Sequence, residues 1–296
     1  MDFKVIIIEL LIVLSVCACG AADKAVTPQE AHYPSGDLTY TPSKVQKVLD
    51  AQQKAAFGLF YEGADPATGM AYEGTERGTC ITTGGAGFGI MALCVGVERG
   101  WITRDAGVDR MKKIVKFLTE CERYRGVWSH WYNPDGTYIA FGDQKATGDL
   151  VETGHLLQGL LVASEYFNRD DAQENGIRDG IENLFNTIDW KFYTGGTDHL
   201  YWLWYSETDK FSLPIVGWNE GLAAYIFALA APQEHAIEPE LYRSGWGTTA
   251  YPNRVTNGYK LPLGSQVKGG PLFFTHYSIL GFNPKLMMDD KCWYYE

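Results

Sequence analysis

Residues 84–96, Gly-Gly-Ala-Gly-Phe-Gly-Ile-Met-Ala-Leu-Cys-Val-Gly, constrain this chain more than any other stretch. They are nearly all apolar, with no alternation of period two, and predict a helix buried on most of its sides. A helix without a polar face needs partners all around it, so the rest of the chain must supply more helices. The glycines at its start lack the spacing and the preceding strand of a nucleotide-binding loop. Close approach of a second helix, or of a ligand, explains them better.

The partners are legible. Val45, Val48, Leu49, Ala56 and Leu59 recur at helical spacing and predict a helix from Pro42 to Tyr61. Thr103 is a good N-cap for a helix whose inner face carries Val108, Met111, Ile114, Val115 and Leu118. Further helices are predicted for Asp149–Phe167, Asp171–Ile188, Asn219–Ala230 (ended by Pro232) and Phe273–Leu280. Residues 126–141, GVWSHWYNPDGTYIAF, read as one hairpin turning at Asn133-Pro134-Asp135-Gly136, and Leu200–Trp204 as a short strand. No βαβ alternation appears. The expected fold class is all-α with a small β-hairpin.

Twenty-five basic residues against 36 acidic give a net charge of −11, which repels phosphate backbones and argues against nucleic acid or anionic lipid as the main partner. Nine Trp and eighteen Tyr suit neutral, hydroxyl-rich ligands such as sugars, although aromatic rings also fill cores. At the N-terminus, Lys4 precedes an apolar run too short to span a membrane, with the layout of a secretory signal over residues 1–18. Ala18-Cys19 matches a bacterial lipobox, so Cys19 is the expected lipidation site and residues 19–41 a polar tether to a domain over 42–296. This predicts a lipoprotein of the bacterial cell envelope, periplasmic or outer-membrane, touching the membrane only through its lipid. The remaining Cys80, Cys94, Cys121 and Cys292 form no CxxC pair and no metal-ligand pattern with His, and no disulfide pairing follows from their spacing.

The chemistry-bearing candidates are acids among aromatics. Asp149 and Glu152 stand three apart at a helix start and share one face. Acids there also serve simply to favour the helix dipole. Upstream lie Trp128, His130, Trp131 and Tyr132, on a hairpin able to overhang that helix end. Glu220 follows Trp218-Asn219 at the head of another apolar helix, and Tyr201-Trp202-Leu203-Trp204-Tyr205 precedes it. A glycosidase needs such a set: one carboxylic acid protonates the leaving oxygen, a carboxylate activates water, and rings stack on sugar faces. Glu152-x-x-His155 is a single motif where a di-iron bundle needs two, and no metal or cofactor is expected.

Residues 82–118, 148–167, 217–232 and 269–284 resemble, in order, motifs of the glucoamylase-like bacterial proteins of glycoside hydrolase family 144, and the similarity runs from about Val45 to the end. The resemblance implies an (α/α)6 toroid-like barrel and metal-free, inverting, endo-acting hydrolysis of β-1,2-glucan. It carries the family's acidic site positions onto Asp149, Glu152 and Glu220. Two departures stand out. The family reads D-N-G-G-D-L-V-E before its first site helix, whereas Lys145 here replaces the first acid, and Asp143 substitutes only by a loop shift. The chain also stops at Glu296 inside the family pattern, so an incomplete barrel is expected.

The expected function is a monomeric β-1,2-glucan hydrolase whose partner is a neutral oligo- or polysaccharide. Glu220 is the expected general acid, and Asp149 and Glu152 form the base side. Trp131, Trp202, Trp204 and Trp218 are candidate stacking platforms, with His130, Asn219, His276 and Tyr277 as further substrate contacts. The alternatives are a non-catalytic glycan-binding lipoprotein and an (α/α)6 hydrolase of other linkage specificity.

Overall fold

A computed structural model describes residues 42–76, 78–140, 147–248, 254–256, 259–261, 271–289 and 294. The expected signal, tether and Cys19, as well as Asp143, Lys145 and Cys292, lie outside the described residues. Eight α-helices occur among those described: α1 (Pro42–Tyr61), α2 (Thr83–Glu98), α3 (Arg104–Glu120), α4 (Leu150–Tyr166), α5 (Ala172–Asn186), α6 (Leu222–Ala230), α7 (Pro239–Ser244) and α8 (Phe273–His276). None of the described helices is long and apolar enough to cross a membrane.

The apolar helix α2 lies against α4, and their glycines set the distance. A Cβ at Gly87 would collide with the backbone of His155 and Leu156, and one at Gly159 with the backbone of Gly87. The two main chains therefore touch, as the glycine content predicted. Around this seam pack Ile90, Leu93, Leu156, Leu157 and Leu160, all buried. Helix α3 contributes Val108, Met111, Ile114 and Leu118 from the expected inner face, with Val115 only half-buried. Thr103 Oγ1 accepts from the Ala106 amide at 3.2 Å, and Asp149 and Asp171 cap α4 and α5 in the same manner.

Helix α1 departs from its pattern. Val45, Val48, Leu49 and Leu59 are exposed, and Phe57 is the side chain it buries, beside Tyr61 and Trp101. Helical spacing located the helix but not its buried face.

Strands are more numerous than one hairpin. Four small antiparallel sheets occur among the described residues, and the strand β6 of one of them runs into α4. In the first, β1 (Ile81–Thr82) pairs with β4 (Trp131–Tyr132), which pairs with β5 (Tyr138–Ile139) across the expected Asn133–Gly136 turn. Val127 and Trp128 belong to a separate hairpin, β2 (Arg123–Tyr124) with β3 (Val127–Trp128). Its two-residue turn places both Arg125 (φ 56°) and Gly126 (φ 85°) in the left-handed region. In the third sheet, β6 (Thr147–Asp149) pairs with β7 (Leu200–Tyr205), which pairs with β8 (Lys210–Ile215). The fourth joins β9 (Arg254–Thr256) to β10 (Tyr259–Leu261). The chain is thus helix-rich with small sheets.

Candidate active site

Strand β6 runs directly into α4, and Asp149 stands at the junction, 1% exposed. Its Oδ1 accepts from the Glu152 amide at 3.0 Å, filling the N-cap. Its Oδ2 accepts from His130 Nδ1 at 2.7 Å. The loop carrying His130 is fixed from both sides: Trp128 N donates to Thr153 Oγ1 at 3.1 Å, and Ser129 Oγ donates to the Thr147 carbonyl at 2.7 Å. The His130 carbonyl accepts from Thr83 N at 3.1 Å, which ties the same loop to the start of α2. The connection between the two hairpins, rather than one hairpin, overhangs the helix end.

Glu152 sits one turn into α4 and faces the start of α2, where its Oε2 accepts from the Gly84 amide at 2.9 Å. A Cβ at residue 84 would occupy the position of that oxygen, so the glycine admits the carboxyl. Burial pushes the Glu152 carboxyl up, and the charge of Asp149 adds to it, against His130 and the Gly84 amide; the result is about 7. For His130, burial favours the neutral ring. The Asp149 hydrogen bond and the charges of Asp149, Glu152 and Glu73 outweigh it and hold the imidazole above its ordinary value.

Glu220 approaches from the third sheet. Helix α6 begins at Leu222 with Gly221 as its N-cap, so Asn219 and Glu220 belong to the preceding turn rather than to the helix. The reason is local: Asn219 Oδ1 accepts from the Gly221 amide at 2.8 Å and closes a turn that competes with helix. Gly221 lies against Val151 of α4, where a Cβ would stand 3.5 Å from Cγ2. Ser278 Oγ donates to the Glu220 carbonyl. Glu220 Oε2 is buried without a hydrogen-bond partner. Burial pushes this carboxyl up, its own backbone amide pulls it down, and the charge of Asp149 adds to the rise. Asp149 thus acts electrostatically on both other acids.

The aromatic candidates divide. Trp131 is half-buried, and its ring meets His130 edge-on with centroids 4.7 Å apart. Tyr277 is 39% exposed and packs on Phe88 and His155, with centroids at 4.9 and 5.7 Å. Gln158 of α4 holds its segment, donating to the Tyr277 carbonyl at 2.9 Å and accepting from Gly281 N at 2.8 Å. His276 is exposed. Trp218 is a core residue: it is 7% exposed and stacks on Tyr294, with Trp246 on another side. Trp202 and Trp204 alternate with Leu203, the residue paired with Asp149, and so lie on the opposite strand face from it. Trp204 is further tied by its indole N–H to Asp209 at 3.0 Å and by edge contact with Phe192. Trp218 is thus part of the core, whereas Trp202 and Trp204 are half-buried against it.

Two members of the cluster were not singled out in the sequence. Glu73 is half-buried, and its charge reaches both His130 and Glu152. The Gly84 amide is the other, since a backbone donor leaves no residue-type signal. His155, by contrast, is a buried core histidine: burial pulls it down to about 4 and leaves it neutral. Among the described residues no group of three or more His, Cys, Asp or Glu side chains is placed to hold a metal ion.

Comparison with known proteins gives this arrangement a context. The family model described as Glycoamylase matches residues 212–296. An exo β-1,2-glucooligosaccharide sophorohydrolase (non-reducing end) of Parabacteroides distasonis is 37% identical over 300 residues, which cover 93% of this chain and 41% of that protein. Over these residues the chain is similar to glucoamylase-family proteins. An endo-β-1,2-glucanase from Chitinophaga pinensis, solved with sophorotriose and glucose, superposes with a TM-score of 0.80 at 35% identity, covering 85% of this chain and 63% of that one. A β-1,2-glucanase from Parabacteroides distasonis gives 0.79 at 37% identity, with 84% and 39% covered. The chain spans between about two-fifths and three-fifths of these relatives' lengths.

Proposed function

We infer that this chain is a glycoside hydrolase acting on β-1,2-glucan by acid–base catalysis, endo-acting and inverting, with its helices forming an arc of an (α/α)6 toroid. What supports the reading is Asp149, which caps α4 beside Glu152 and whose charge acts on both Glu152 and Glu220, two carboxyls that are raised, the latter with a buried, unpartnered oxygen. Glu220 is the general acid: burial raises its carboxyl, and the unpartnered Oε2 is suited to a glycosidic oxygen. Glu152, near 7, is the base that takes a proton from water. Asp149 is almost wholly buried with both oxygens engaged, which suits it to orient rather than to exchange protons. Trp131 and Tyr277 supply the sugar-facing rings. Lipidation at Cys19 would hold the monomer on the cell envelope.

Product analysis on linear β-1,2-glucan beside a binding titration with sophoro-oligosaccharides tests the reading. Short oligosaccharides should appear, and Glu220→Gln should lower their rate by about 10²–10⁴-fold while keeping binding. Binding without product in the wild type would instead select a glycan-capturing lipoprotein, and unchanged turnover in Glu220→Gln would remove Glu220 from the mechanism.

A further inference from the structure

His130 sits where the loop, the sheet and two helices meet, with a negative group toward it from each side: Asp149 at the β6–α4 junction, Glu152 in α4 and Glu73 in the segment before β1. Its backbone is immobilised by the Ser129, Trp128 and Thr83 hydrogen bonds, and its side chain is 17% exposed. Trp131 meets the ring edge-on and limits its rotation. A fixed imidazole 2.7 Å from a carboxylate that is itself fixed as a helix cap is a clamp, not a loose surface pair.

We propose that His130 is the positioning residue of this acid cluster, clamping Asp149 through Nδ1 and shaping the surroundings in which Glu152 exchanges its proton. The ring nitrogen Nδ1 of His130 is engaged by Asp149. Its place in catalysis rests on the hydrolase reading above, but the clamp itself does not. The sign of the coupling is fixed. An imidazolium favours the ionised form of Glu152, so its removal moves Glu152 to higher pH. By reciprocity, loss of either carboxylate lowers the titration midpoint of His130.

Two readouts on the full chain test this. In an imidazole NMR titration, with His130 assigned by His130→Asn, the wild-type midpoint should lie above 6.5. Asp149→Asn should lower it by about one unit or more, and Glu152→Gln and Glu73→Gln by less. A wild-type midpoint at or below 6.5, or one indifferent to Asp149→Asn, overturns the proposal without reference to any activity. The second readout is the pH dependence of kcat on β-1,2-glucan. His130→Asn keeps an N–H donor without the charge. It should move the limb belonging to Glu152 to higher pH by about one unit and lower kcat about tenfold, with KM little changed. His130→Leu, lacking the donor as well, should lose more. An unchanged limb and kcat in His130→Asn overturns the proposal even where hydrolysis is robust. An NMR response as expected in a chain that cleaves nothing supports the clamp and refutes the hydrolase.

Discussion

Two helices of this protein begin with the same grammar and end in opposite chemistry. Asp149-Leu150-Val151-Glu152 opens α4, and Asp171-Ala172-Gln173-Glu174 opens α5. In each, the aspartate caps the helix by accepting from the glutamate's amide at 3.0 Å. At α5 the guanidinium of Arg104 grips Glu174 with two hydrogen bonds, at 2.6 and 2.8 Å, and the Arg169 amide adds a third at 2.7 Å. That grip holds the Glu174 carboxyl below its ordinary value. At α4 no such partner faces Glu152 among the described residues; it has one backbone amide, a histidine that Asp149 also holds, and a like charge nearby, and it rises to about 7. The same Asp-x-x-Glu spacing gives a paired, lowered carboxyl in one place and a buried, raised one in the other. The difference lies entirely in what the rest of the chain brings to it.

Glutamine at each position should expose this difference most strongly in turnover. Glu152→Gln should lower hydrolysis of β-1,2-glucan about a thousandfold, whereas Glu174→Gln, far from the acids, should leave it within about threefold in the folded fraction. Equal losses would mean that both act through stability alone.

Stability should respond in the opposite sense. Native Glu152 keeps its proton to about 7, while the unfolded chain releases it near 4.5. The native state therefore loses stability as pH rises between those values, and above 7 the full cost of the buried charge is present. Glu152→Gln should raise stability by on the order of 3 kcal/mol at pH 8 and have little effect at pH 4, read by denaturant unfolding. Arg104→Met should do the reverse, costing about 3 kcal/mol near neutrality by leaving Glu174 buried and unpaired.

The caps give the smallest effect. Asp171→Ala should cost about 1 kcal/mol with hydrolysis unchanged. Asp149→Ala should add to a similar cap loss the release of His130, visible as a large fall in turnover.

What was legible beforehand was local. Thr103, Asp149 and Asp171 announce helix starts because a short polar side chain satisfies a free amide within three residues. The Asn133–Gly136 turn was visible for the same reason. The Arg125-Gly126 turn was not, since an arginine at positive φ is costly alone and is held by contact with the chain after α5: the Asp189 amide donates to the Arg125 carbonyl at 3.0 Å. Partners distant in sequence were also hidden. Arg104 and Glu174 are 70 residues apart, and Gly84 and Glu152 are 68 apart. Asp149, Glu152 and Glu220 were picked out by residue type and family resemblance, yet it takes the packing of α6 on α4 to set the turn carrying Glu220 against the start of α4. The tryptophans show the converse, because Trp218 and Trp204 satisfied the pattern of a sugar-binding wall and were taken up by the core and the sheet.

The most direct measurement is a carbon-13 titration of the side-chain carboxyls, with Glu152 and Glu174 assigned by their glutamine variants. Glu152 should change state near 7, and Glu174 below the usual glutamate range. If the two titrate together below 5, the start of α4 is one more helix cap and carries no proton for the chemistry assigned to it.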